Sequence, residues 1–89
     1  MHIALQMPVQ LDSQMTAARG VLEARVASLK TLPPSNDVTL ELAELEAALE
    51  RIRMGTWGRC ERCSSAIGRT RLRAMPETRL CLECSNQVG

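Results

Sequence analysis

Between positions 38 and 52 the apolar residues Val38, Leu42, Leu45, Leu49 and Ile52 recur at steps of four, three, four and three. That rhythm puts them on one face of an α-helix, as a stripe narrow enough to face a second helix. The preceding stretch repeats it with Leu11, Met15, Ala18, Leu22 and Leu29, interrupted by Arg25 with Val26 beside the gap. Pro33-Pro34-Ser35-Asn36 separates the two stripes. Consecutive prolines cannot continue a helix, and Ser and Asn favour its restart. The pattern predicts an antiparallel helical hairpin, a short coiled coil, over residues 12–54 with its turn near 33–36. Asp12 or Ser13 is the expected first cap, which leaves residues 1–11 as a loose N-terminal arm. The charges of the second helix suit its dipole, with Asp37 and Glu41 near its start and Arg51 and Arg53 near its end.

The rhythm stops at residue 55. Residues 55–89 hold all four cysteines, arranged as Cys60-x2-Cys63 and Cys81-x2-Cys84 with 17 residues between the pairs. Two residues between ligands let both thiolates of a tight knuckle reach one ion, and two knuckles complete a tetrahedral zinc shell. Four thiolates also ligate iron–sulfur clusters, and a redox dithiol needs only one such pair, but the spacing favours one structural zinc ion. Four protein ligands close the shell, and the single histidine, His2, lies far off in the arm, so the metal is read as a staple and not as a catalyst. The apolar residues left to this zinc module are Trp57, Ile67, Leu72, Met75, Leu80 and Leu82, too few to fold it without metal. The fold class expected is mainly α: a helical hairpin joined to a small four-cysteine zinc finger module.

Composition narrows the function. The chain has 89 residues, 11 Lys and Arg against 10 Asp and Glu, and a formal charge of +1. Near neutrality and a lone aromatic residue, Trp57, argue against a coat on DNA and against a base-stacking platform. No apolar run is long enough to cross a membrane, and the first residues carry no secretory pattern, so a cytoplasmic location is expected. There is no phosphate-binding glycine loop, no H-E-x-x-H and no Ser/His/Asp set, so no catalytic residue is expected and the chain is not read as an enzyme. Charge is nevertheless uneven. Residues 35–50 hold five acids and no base, while the zinc module carries six arginines.

The stretch ALERIRMGTWGRCERC, followed by AIGRTRLRAMPETRLCLEC, resembles the DksA/TraR family of four-cysteine zinc finger proteins. The resemblance covers roughly residues 42–84 and rests on Leu49-Glu50-Arg51-Ile52, Gly55-Thr56-Trp57-Gly58, Arg71-Leu72, Ala74 and Pro76 around the cysteines. It implies a hairpin emerging from a zinc module, and a transcription regulator that binds RNA polymerase by passing the hairpin into the secondary channel. Direct DNA contact is not part of that expectation. It also implies an acidic hairpin tip. Here the turn offers one acid, Asp37, for which a plain helix-start role is the alternative. The partner-facing residues expected are Asp37 on the hairpin and Arg69, Arg71, Arg73 and Arg79 on the module.

Some members of the family bind the alarmone ppGpp jointly with polymerase through basic side chains. The corresponding positions fall on Glu44, Met75 and Ser85, none of them basic, so synergy with ppGpp is expected to be weak or absent. The hairpin is short for the family, Ser64 stands where a glycine often follows the second cysteine, and Asn86-Gln87-Val88-Gly89 is expected to be too short for the C-terminal helix of longer members. The alternative reading is a zinc-stapled protein-interaction or DNA-binding module that does not act on polymerase.

Overall fold

The structure, a computed structural model, describes residues 9–88, with side-chain surroundings for residues 13–87. Four helices follow one another: α1 (Val9–Leu29), α2 (Asn36–Met54), α3 (Arg69–Ala74) and α4 (Leu82–Val88). Among the described residues the isolated β-type pairing is one antiparallel bridge, Arg59 with Ala66.

α1 and α2 form the hairpin. Leu22, Leu45 and Ala48 are fully buried between them, with Val26, Leu29, Leu49 and Ile52 packed around. The apolar stripes of the two helices are therefore the interface. Arg25, the break in the first stripe, has its own partners: it pairs with Glu41 across the hairpin at 3.0 Å and with Glu77 of the module at 3.8 Å. Lys30 pairs with Glu46 at 3.8 Å nearer the turn.

α1 begins at Val9, ahead of the expected caps Asp12 and Ser13, so the helix takes in the end of the segment read as a loose arm. Residues 1–8, including His2, lie outside the described residues. The restart at α2 is better defined. Ser35 is extended and its hydroxyl accepts a hydrogen bond from the Val38 amide at 3.1 Å. This satisfies one of the orphan donors of the first turn. At the other end Gly55 adopts φ 82°. The Thr56 amide donates to Arg51 O at 2.9 Å and the Gly55 amide to Ile52 O at 3.2 Å. This closes the helix in a Schellman-type turn and swings the chain into the module.

The module has a core of its own that reaches into the hairpin. Trp57, Cys60, Ile67, Leu72 and Cys84 are buried together with Ala18 of α1, and Met15, Ile52 and Leu80 pack against them. Ile52 touches both clusters. Two expected core residues are not in it: Met75 is 42% exposed and Leu82 is 59% exposed. Met75 ends α3 just before Pro76. Leu82 lies on α4 beside the face that carries Cys81 and Cys84 inward, so it points away from the metal side.

Candidate metal centre

Each knuckle is built by short-range hydrogen bonds. In the first, the Cys60 amide donates to Ser65 O at 2.8 Å, the Ser64 amide to Cys60 O at 2.9 Å and the Ile67 amide to Gly58 O at 2.8 Å. The tight return puts Ser64 at φ 67°, the left-handed region that a glycine adopts without strain. In the second knuckle Cys81 heads α4. Its carbonyl accepts from the Ser85 amide at 2.9 Å, and its sulfur accepts from the Cys84 amide at 3.5 Å. The Cys81 sulfur thus acts as a cap for α4, Leu82–Val88, which takes in Asn86-Gln87-Val88 of the stretch expected to be too short for the C-terminal helix of longer members. The Glu61 amide donates to Arg79 O at 2.9 Å and ties one knuckle to the approach of the other.

The four cysteine sulfurs lie within 4.8 Å of one another. Cys63 Sγ and Cys81 Sγ are 3.8 Å apart. Four zinc–sulfur bonds of about 2.3 Å at tetrahedral angles separate sulfurs by about 3.8 Å. The donor set therefore fits one zinc ion, which Cys60, Cys63, Cys81 and Cys84 would hold. Cys60 and Cys84 are buried, Cys81 is half-buried and Cys63 is exposed.

The thiols differ electrostatically. Burial pushes the Cys84 thiol up to about 12, helped by hydrogen bonds with Cys81, Cys60 and Cys63. Burial also acts against ionisation of Cys60, but backbone hydrogen bonds from Cys63, Cys81 and Arg62 outweigh it and bring the thiol down to about 6. Cys63 is lowered, chiefly by hydrogen bonds from Ser65. Amides that stabilise a thiolate at this spot prepare the site for a cation.

Arginines hold the surrounding frame. Arg51 of α2 donates to Glu77 O at 3.2 Å and to Thr78 O at 3.5 Å. Burial lowers its pKa first of all, and the nearby Arg79 charge adds to that. Arg71 of α3 donates from Nε to Leu80 O at 3.0 Å. The loop 77–80 that delivers Cys81 is thus clasped from two helices. Trp57 adds a third tie, its indole N–H donating to Pro76 O at 2.9 Å in a buried setting. The sequence marked Arg51 only as a helix-end charge within the family stretch, because nothing in a helix-end arginine says which carbonyls it will meet.

The expected partner-facing residues fall in different settings. Arg79 bridges the module and the hairpin, with Nε 2.8 Å from Glu44 Oε1 and Nη1 3.1 Å from Glu61 Oε2. Arg71 is half-buried in the loop clasp. Arg69 and Arg73 are exposed, one turn apart on α3. Asp37 is exposed in the first turn of α2, at the opposite end of that helix from the metal centre. The acidic run is largely neutralised: Glu41 pairs with Arg25, Glu44 with Arg79, Glu46 with Lys30 and Glu50 with Arg53. Among the described residues Asp37 alone of that run has no ion-pair partner.

A helical hairpin on a two-knuckle, four-cysteine zinc module defines the class of this chain. Residues 55–86 match the prokaryotic dksA/traR C4-type zinc finger family, so the resemblance read from the residues around the cysteines holds. An uncharacterised protein of Aquifex aeolicus is 46% identical over 54 residues, covering 61% of this chain and 37% of that protein. The match thus spans little more than a third of the relative's length. Two solved structures share the fold. The RNA polymerase binding protein and transcriptional regulator Dks of Chlamydia trachomatis has a TM-score of 0.74 at 23% identity, covering 86% of this chain and 88% of that one. Transcription factor DksA2 of Pseudomonas aeruginosa has a TM-score of 0.62 at 22% identity, covering 98% and 88%.

Proposed function

We propose that the chain is a transcription regulator that binds bacterial RNA polymerase, its hairpin entering the secondary channel while the zinc module docks outside. The fold it has in common with Dks and DksA2 supports the partner. The observation that carries the mode of action is electrostatic. The rest of the acidic run is paired within the chain, and Asp37 is left unpaired beside the hairpin turn. An uncompensated carboxylate at the end of a narrow arm is suited to meet a cation or basic group deep in a partner. The module core packs around Ala18, Met15 and Ile52 of the hairpin and so sets the direction in which the arm leaves it.

The same reading makes direct DNA binding a minor matter, since Arg51, Arg71 and Arg79 are committed to internal partners. It also makes ppGpp synergy weak or absent, because Glu44 is engaged with Arg79 and neither Met75 nor Ser85 can supply a positive charge. The activity is regulatory, with no chemical step assigned to the chain, and its place is the cytoplasm with the polymerase. No helix among the described residues is long and apolar enough to cross a membrane.

The test is binding of the zinc-loaded chain to purified RNA polymerase, with a known secondary-channel factor as competitor. Mutual displacement is expected. Binding without displacement would remove the channel from the account, and absence of binding at micromolar concentration would remove the polymerase. Asp37→Ala is expected to keep binding and lose the effect on transcription; an unchanged effect would remove Asp37 from the mechanism.

A further inference from the structure

A groove of about 380 Å³ runs between the first half of α1 and α3, on the outer side of the shared core. Its floor is apolar: Ala17, Ala18 and Val21 from α1 meet Leu72 and Pro76 from the module. Val21 is 49% exposed, an apolar side chain that its described neighbours leave half uncovered. The volume lies within the roughly 300–1,000 Å³ usual for binding pockets.

Three features describe what fits there. The walls are helical and neither is a strand, so the groove offers no sheet edge to an extended peptide. A helix that presents side chains is the matching shape, and the α1 wall from Ser13 to Val21 runs about 12 Å, enough for two turns of a partner helix. The rim is cationic. Arg69 and Arg73 both line the groove, and Arg73 makes no ion pair with any described residue, while Arg51, Arg71 and Arg79 of the same region are engaged. Finally, Gln14 lines the groove and donates to Arg69 O at 3.0 Å, yet its Oε1 is buried with no hydrogen-bond partner. An unpaired acceptor is costly unless a donor arrives, and the free N–H groups at the start of a helix are such donors. Carboxylates are favoured at that same helix end and would face Arg73.

We propose that this groove is a docking site for an acidic amphipathic helix of a partner protein, with apolar anchors over Val21 and Leu72 and carboxylates against Arg73. The site is separate from the hairpin tip and does not depend on the polymerase reading.

The probe is a fluorescein-labelled helical peptide with Leu at i, i+3, i+4 and i+7 and Glu flanking them, compared with the same peptide carrying Lys in place of Glu. Anisotropy is read with the full zinc-loaded chain. The acidic peptide is expected to bind at least tenfold more tightly than the basic one. Val21→Glu should abolish binding. Arg73→Glu should weaken the acidic peptide several-fold and strengthen the basic one, with circular dichroism and zinc content unchanged in both variants. Misfolding exposes apolar surface to both peptides alike, so a gain confined to the basic peptide with a loss for the acidic one keeps the test open if a variant is unstable. No binding of the acidic peptide, equal binding of the two, or indifference to Val21→Glu would overturn the proposal. Binding that emerges only after removal of residues 1–8 would overturn it too, since the groove would then belong to the chain's own start.

Discussion

Removal of zinc should melt the module and spare the hairpin better. α3 and α4 hold 6 and 7 helical residues, against 21 and 19 in α1 and α2. α4 is headed by Cys81 and carries Cys84, and the buried module core includes two of the four cysteines, Cys60 and Cys84. Structural zinc contributes about 10 kcal/mol or more in apparent folding free energy, far above what the remaining apolar contacts of Trp57, Ile67 and Leu72 can replace. A chelator that strips the ion should therefore cost about a quarter of the far-UV helical signal at least, the module's share of the helix. Further loss is expected at the hairpin base, because Met15, Ala18 and Ile52 lose their cover. Trp57 is 4% exposed with its indole N–H on Pro76 O, so its fluorescence should shift to the red at the same chelator concentration. The assay is titration with a strong chelator, with metal content verified by atomic absorption and both signals followed. Unchanged ellipticity and unchanged Trp57 emission in a verified metal-free sample would refute the staple argument.

Other outcomes follow from single features. Zinc affinity should rise with pH, because the Cys84 thiol is held near 12 and must lose its proton to bind; competition with a calibrated chelator at acidic and alkaline pH measures this, and a flat profile would contradict it. Ser64→Gly should stabilise the loaded protein by about 0.5–1 kcal/mol in thermal melts, since relief at φ 67° outweighs the extra freedom of glycine in the unfolded chain. A destabilised variant would show that the Ser64 side chain matters more than its backbone. Leu45→Ala should cost about 3 kcal/mol in denaturant unfolding, because Leu45 is fully buried between two helices that cannot both close on the gap; a loss within error would mean that the hairpin collapses freely. A double-mutant cycle on Arg79 and Glu44 should give only about 0.5 kcal/mol of coupling, fading with salt, since both side chains are well exposed.

Much of this was legible beforehand because the signals were periodic or stoichiometric. The four-three spacing of Val38 to Ile52 specified a helix and its buried face, and the cysteine spacing specified a four-sulfur site. Ser35 began α2 and Gly55 ended it, as their capping preferences require. Errors arose where the deciding contact was distant or local in an unexpected way. Met75 and Leu82 read as core by hydrophobicity alone, yet Met75, just past the end of α3, and Leu82, at the start of α4, are exposed. α4 was missed because a cysteine sulfur is not ordinarily counted as a helix cap.

Charge shows the division most clearly. Composition alone established near neutrality, an acidic second helix and an arginine-rich module, because those are properties of counts and order. Which charges stay available is a property of distance. Arg79 meets Glu44 across 35 positions of sequence, Arg25 meets Glu77 across the module boundary, and Arg51 meets two carbonyls of a loop. Only the folded arrangement brings such groups within hydrogen-bonding range, so only the tertiary structure shows that Asp37 and Arg73 are among the charges without an ion pair to any described residue. The helices and the metal ligands were set by neighbours close in sequence, through backbone preference and ligand spacing. The surface on offer to a partner was set by which side chains the fold had already paired.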